Sequence, residues 1–186
     1  MIRTPPAAAA WWRDLQPDPA NQQKGDRGAL ARLRRCASVS AAMQEASTIR
    51  LFQRVGGTTP ADLPAVALAA ATLAHVREDV PGLTVARAIG PQSVESPETA
   101  LLKPLRFRRL LETTEPDERL VAFRRLAALA DGKLPVVDLA VALMDWTDER
   151  RRRWVYDYWN AGQPRPDAGP EAAAATTIPN PEEPVA

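Results

Sequence analysis

Cysteine and histidine are nearly missing from this chain: Cys36 and His75 are the only ones. A single cysteine excludes an internal disulfide and any multi-cysteine zinc site. A single histidine excludes the histidine-rich sets that hold catalytic metals. Lysine is scarce as well, with Lys24, Lys103 and Lys133 the only three among 24 basic residues. There is no glycine-rich phosphate loop and no acid cluster at metal-ligand spacing. The most apolar run, Ala65 to Val76, is short of the ~20 residues that span a bilayer. The opening Met1-Ile2-Arg3-Thr4-Pro5-Pro6 lacks the apolar core of a signal peptide. These absences point away from an enzyme, a metal or cofactor protein and a membrane protein, and towards a cytoplasmic, reducing location.

What the chain has instead is arginine, in packets: Arg27 with Arg32, Arg34 and Arg35; Arg50 with Arg54; Lys103 with Arg106, Arg108 and Arg109; Arg124 with Arg125; and Arg150 to Arg153. A GC-rich genome favours arginine over lysine without selection on the protein, so the grouping carries the reading and the number does not. Each packet lies among apolar residues at helical spacing, which gives helices with one buried face and one cationic face. The formal net charge is only +1, but residues 161–186 hold Asp167, Glu171, Glu182 and Glu183 against Arg165 alone. The remaining body carries 23 basic and 19 acidic residues, a mild excess that acts only through local patches.

Local signals predict helices throughout. Trp11 to Leu15 reads as a short helix or arm, with one tryptophan packed inside and the other touching a neighbour. Asp26 caps a helix from Arg27 to Ser38, on which Arg27 and Arg34 share a flank. A second helix, Ala41 to Val55, turns Met43, Ile49 and Phe52 inward and ends at Gly56-Gly57. Thr59-Pro60 opens a helix to about Glu78 that is apolar nearly all round, the pattern of a central buried helix. Leu83 to Ile89 is a further short helix. Gly90-Pro91 and Ser96-Pro97 mark a boundary.

In the second half, Phe107, Leu110 and Leu111 share one arc of a helix and the arginines take the rest. Pro116-Asp117-Glu118 opens a helix with acids at its positive end. Its Leu120, Phe123, Leu126 and Ala130 point inward, with Arg124 and Arg125 outward, and Gly132 ends it. Val136 to Trp146 is apolar, and Thr147 caps a last helix with Trp154, Val155 and Tyr158 inward. No strand pattern appears. The fold class is therefore all-α: two small helical bundles, an N-terminal half at 11–90 and a C-terminal half at 91–160. They follow a disordered N-terminus at 1–10 and precede a disordered Pro/Ala-rich acidic tail at 161–186.

The order of these features is familiar. Trp11-Trp12-x-x-Leu15 precedes Gly25-Asp26-Arg27-x-x-Leu30-x-Arg32-Leu33-Arg34-Arg35. Arg106-Phe107-Arg108-Arg109-Leu110-Leu111, Arg124-Arg125, Asp138-Leu139, Leu143-x-x-Trp146 and Trp154-x-x-x-Tyr158 follow. From Trp11 to Trp159 this set resembles the CasB family, the small subunit of the type I-E CRISPR surveillance complex, Cascade. The resemblance implies an all-helical, non-enzymatic subunit that needs no cofactor. It also implies the partners: crRNA, target DNA and the displaced non-target strand, the large and backbone subunits, and a second copy of the chain. Basic surface residues would carry the nucleic-acid contact while the guide supplies sequence choice. On this chain the nucleic-acid-binding candidates are Arg27, Arg32, Arg34, Arg35, Arg50, Arg54, Lys103, Arg106, Arg108, Arg109, Arg124 and Arg125.

Other readings of the same residues stay open. The arginines suit phosphate by their fork geometry, and they equally suit acids, as in a protein–protein adaptor whose arginines pair with acidic partners. Asp117 is within helical reach of Arg124. Asp145, Asp148 and Glu149 precede Arg150 to Arg153 and make that packet structural or subunit-facing. A helix-turn-helix regulator is disfavoured, because the Arg27–Ser38 helix lacks the polar mix of a recognition helix. A Cys36–His75 nucleophile pair lacks an orienting group. Trp146 and Trp154 read as core anchors.

Overall fold

A computed structural model describes residues 2, 4, 6–18, 20 and 22–162. The expected tail lies, from 163 onward, outside the described residues. Ten α-helices run in chain order among them: α1 Ala7–Leu15, α2 Arg27–Arg35, α3 Val39–Met43, α4 Ala46–Arg54, α5 Leu63–Leu73, α6 Val85–Ile89, α7 Pro104–Leu111, α8 Pro116–Leu129, α9 Val136–Met144 and α10 Asp148–Tyr158. Among the described residues the protein is all-α apart from one parallel pairing of two-residue strands, β1 Glu78–Asp79 on β2 Lys133–Leu134, and an isolated bridge between Asp18 and Gln23. Strands this short show no alternation, so sequence patterning does not reveal them.

Helix α5 organises the rest. Every residue from Val66 to Leu73 is buried, so the helix has no face to give to water and must be covered all round. Helices α2, α3 and α4 cover one part of it, and α8 and α9 cover another. Helix α10 packs on α6, and α1 on α4 and α9. The buried residues of 11–90 and 91–160 consequently form one hydrophobic cluster.

Three aspartates fasten distant helix starts. Asp117 Oδ1 accepts from Val39 N at 2.7 Å, Asp138 Oδ2 from Val85 N at 2.7 Å, and Asp79 Oδ1 from Val136 N at 2.9 Å. Each acceptor meets an unsatisfied first-turn amide and sets a negative charge at the positive end of a helix. Asp138 is held above the usual carboxylate range by burial, partly offset by its bond from Val85 N.

The structure moves several boundaries. Helix α1 begins at Ala7, and Ala8 and Ala9 are buried, so the N-terminal fraying expected through Ala10 does not extend that far. Both tryptophans of α1 are buried, at 4% and 6% exposure. The indole of Trp11 donates to Ser47 O at 3.0 Å and that of Trp12 to Val76 O at 3.2 Å, so neither waits for a neighbour. Helix α2 stops at Arg35 because Ser38 is extended and caps α3, accepting from Ala41 N at 3.1 Å. The single helix expected from Ala41 breaks at Gln44–Glu45 into α3 and α4. The break resets the helical phase, so Ser47, Thr48 and Leu51 point inward and Ile49 is exposed.

Val155 is exposed too, while Trp154 and Tyr158 are buried. Trp154 meets Phe123 and Trp146 edge-to-face, at centroid separations of 5.6 and 5.0 Å. At the end of α6, a Cβ on Gly90 would collide with the Tyr158 carbonyl, and this close approach seats α10 on α6.

Candidate nucleic-acid interface

Helix α7 starts at Pro104, a residue suited to the first helical turn. Phe107 and Leu110 turn inward, which leaves Arg106, Arg108 and Arg109 exposed. Helix α8 buries Leu120, Phe123, Leu126 and Ala127 and exposes Arg125. The two helices enclose an open groove of about 1010 Å³. Arg106 and Arg109 come to it from α7, and Arg125 from α8. Its apolar surface includes Leu110, Val121 and Leu129, and two acids, Asp117 and Glu118, also line it.

The candidate cations separate into free and engaged groups. Arg27, Arg35, Arg50, Arg106, Arg108, Arg109 and Arg125 are exposed and make no ion pair or hydrogen bond among the described residues. Arg32 Nε lies 3.0 Å from Glu45, and Arg54 lies 2.5 Å from Asp14. Arg34 donates from Nε to Ala74 O at 2.6 Å. Lys103 donates to Glu98 O. Only Arg106, Arg109 and Arg125 converge on the groove. Arg27 lines a smaller cleft with Lys24 and Gly25 at the far end of α2, and Arg50 and Arg54 lie on α4.

Arg124 departs from the sequence expectation. It is half-buried and reaches across to the C-terminus of α2, where Nη1 donates to Cys36 O at 2.7 Å and Nη2 to Leu33 O at 3.1 Å. Two helix-end carbonyls provide the acceptors, and that of Leu33 also accepts from Cys36 N at 3.3 Å. Burial lowers its pKa from the ordinary arginine value. Asp117, the other expected partner, is taken by Val39 N. Arg124 therefore stitches the last turn of α2, which bears Arg32, Arg34 and Arg35, to the helix that forms one wall of the groove, and Asp117 ties the start of α3 to the same helix.

Arg119 is a second engaged guanidinium. It donates from Nη2 to Thr113 O at 3.3 Å and Thr114 O at 2.9 Å, and lies 5.9 Å from the Trp146 ring centroid. On α10, Arg150 pairs with Asp145, Arg151 with Asp148 and Arg153 with Asp157. Arg152 is exposed, with no partner among the described residues. The α10 pairs follow helical spacing to neighbouring acids, whereas no spacing marks Arg34 or Arg124 as engaged, because their acceptors are backbone carbonyls brought in from elsewhere.

Cys36 and His75 lie near this seam. Burial raises the Cys36 pKa, with Glu45 adding to the effect, so the thiol stays protonated. Burial, then Arg124 and Arg34, lowers His75 from 6.5 to about 4. The two groups are poised as neutral packing residues, the opposite of a thiolate–imidazolium pair. Among the described residues no group of ligating side chains is arranged to hold a metal ion, and no helix is long and apolar enough to cross a membrane.

Comparison with known proteins bears on this surface. The family model of the CRISPR-associated protein Cse2 matches residues 29–159. A chain in the crystal structure of E. coli Cascade bound to a PAM-containing dsDNA target shares the fold, with a TM-score of 0.57 and 20% identity. The likeness covers 83% of this chain and 97% of that one. Among curated proteins, nothing matches.

Proposed function

The chain belongs to the CRISPR-associated Cse2 family, and from that premise we propose that it is a non-catalytic subunit of a type I-E Cascade that holds nucleic-acid backbone. Its partners are the crRNA, the target DNA and displaced strand, the large and backbone subunits, and a second copy of itself. The observation that carries this reading is the gathering of Arg106, Arg109 and Arg125 at one groove without a bond to any described residue. Arg108 is free on the same helix, and the end of α2, which bears Arg35, is fastened to α8 through Arg124. A guanidinium meets phosphate oxygens through two parallel N–H bonds, and each contact releases condensed counterions. Such contacts read no sequence; the guide does that.

Titrating the full chain with labelled single-stranded DNA across a salt series tests the proposal. Arg106→Ala and Arg108→Ala are each expected to weaken binding equally for unrelated sequences. Each should also lower the slope of log affinity against log salt by about 0.7. Unchanged affinity and slope in both variants would overturn the phosphate-binding surface. The complete absence of a complex at low salt would instead favour an adaptor whose arginines meet acidic proteins.

A further inference from the structure

The α7–α8 groove has a complement within the same chain, and we infer that the acidic segment 163–186 occupies it in the free protein. The chain is delivered to the groove's edge. Tyr158, the last residue of α10, stacks on Phe107 of α7 at a centroid separation of 3.9 Å. Its hydroxyl donates to Leu102 O at 2.7 Å, and Leu102 itself lines the groove. At about 3.3 Å per residue, the stretch from Tyr158 to Ile178 reaches roughly 65 Å. At about 1.5 Å per residue, the α8 wall is roughly 21 Å long. The segment therefore reaches the whole groove, and tethering raises its local concentration towards the millimolar range.

Charge and polarity match as well. The segment carries Asp167, Glu171, Glu182 and Glu183 against Arg165 alone. The groove offers three guanidiniums with no acceptor among the described residues, and one of its two acids, Asp117, is already bonded to Val39 N. The exposed side chains of Val121 and Leu129 line the same groove. In Ile178-Pro179-Asn180-Pro181-Glu182-Glu183-Pro184-Val185, two carboxylates stand between two aliphatic side chains. Laid along the groove, this run sets carboxylates on guanidiniums and Ile178 or Val185 on the apolar floor, a pairing of anchors with alternating chemistry. The same arginines are those proposed above for phosphate, so the segment competes with nucleic acid; that consequence rests on the proposed function, whereas the occupancy does not.

Photo-crosslinking in the full chain tests the occupancy, with a benzophenone-bearing phenylalanine in place of Ile178. The crosslinked peptide is expected to map to residues 104–129 within one chain. The combined Arg106→Ala, Arg109→Ala and Arg125→Ala variant should abolish it. So should the combined Asp167→Asn, Glu171→Gln, Glu182→Gln and Glu183→Gln variant, which alters no described residue. A crosslink to another surface, a crosslink between chains, or none at all would overturn the occupancy, whatever the chain does with DNA. The competition has its own readout. If the docked state is nine-tenths populated, the neutralised chain binds single-stranded DNA about tenfold more tightly. Equal affinities with a groove-mapped crosslink would remove the competition and leave the occupancy standing.

Discussion

Two neighbouring arginines on α8 do different work. Arg124 satisfies the carbonyls of Leu33 and Cys36 from a half-buried position, and Arg125 stands free at the groove. Hydrogen bonding to a charged group contributes about 1.5–3 kcal/mol. Arg124→Ala is therefore expected to lower stability in urea by about that amount, while the DNA affinity of the folded fraction stays the same. Arg125→Ala should reverse the pattern, with a stability change within about 0.5 kcal/mol and weaker DNA binding.

His75 gives the residue scale a pH signature. Burial, then Arg124 and Arg34, holds it at about 4 against 6.5. Above pH 6.5 it is neutral in both states and its contribution is constant. Between 6.5 and about 4 the unfolded chain takes up a proton that the folded chain resists, so stability falls as pH falls through that window. His75→Gln is expected to flatten the difference between urea midpoints measured near pH 7 and near pH 5.

At the scale of elements, the helices are too short to stand alone. Helices α3 and α6 have five residues each, far below the ~12–15 that sustain an isolated helix. Their starts are held by carboxylates from α8 and α9. Asp138→Ala is predicted to cost about 0.5–2 kcal/mol, as losing a helix-start acceptor does. Asp138→Asn, which keeps an oxygen acceptor, should recover much of that. Hydrogen exchange at the amides of α6 is the direct check: faster exchange in the alanine variant confined to α6 and its packing partner α10 is the expected result, and no local change would count against the cap.

For the whole molecule, α5 settles how cooperative unfolding must be. Its coat comes from helices on both sides of residue 91. Neither half can cover α5 alone, so one transition is expected for the chain. The five tryptophans sit in both halves, at Trp11 and Trp12 and at Trp146, Trp154 and Trp159. Tryptophan fluorescence and far-ultraviolet circular dichroism should give the same denaturant midpoint. Two separated transitions would mean that 11–90 and 91–160 fold as independent units.

The sequence by itself determined the helical class, the burial of α5 and most helix starts, because hydrophobic period and capping residues act over a few neighbours. It also determined that α7 presents arginines, since Phe107 and Leu110 fix which arc faces inward. The ordered set of aromatic and basic residues pointed to the family as well. It did not separate Arg124 from Arg125, seat both Trp11 and Trp12 inside, or reveal the pairing of Glu78–Asp79 with Lys133–Leu134. Those outcomes depend on acceptors and strands more than thirty residues away along the chain, and only the packing of α5 decides which distant carbonyl lies within reach. The groove belongs to the same class: α7 and α8 each supply cations locally, but their convergence on one surface is set by how both helices rest on the shared core.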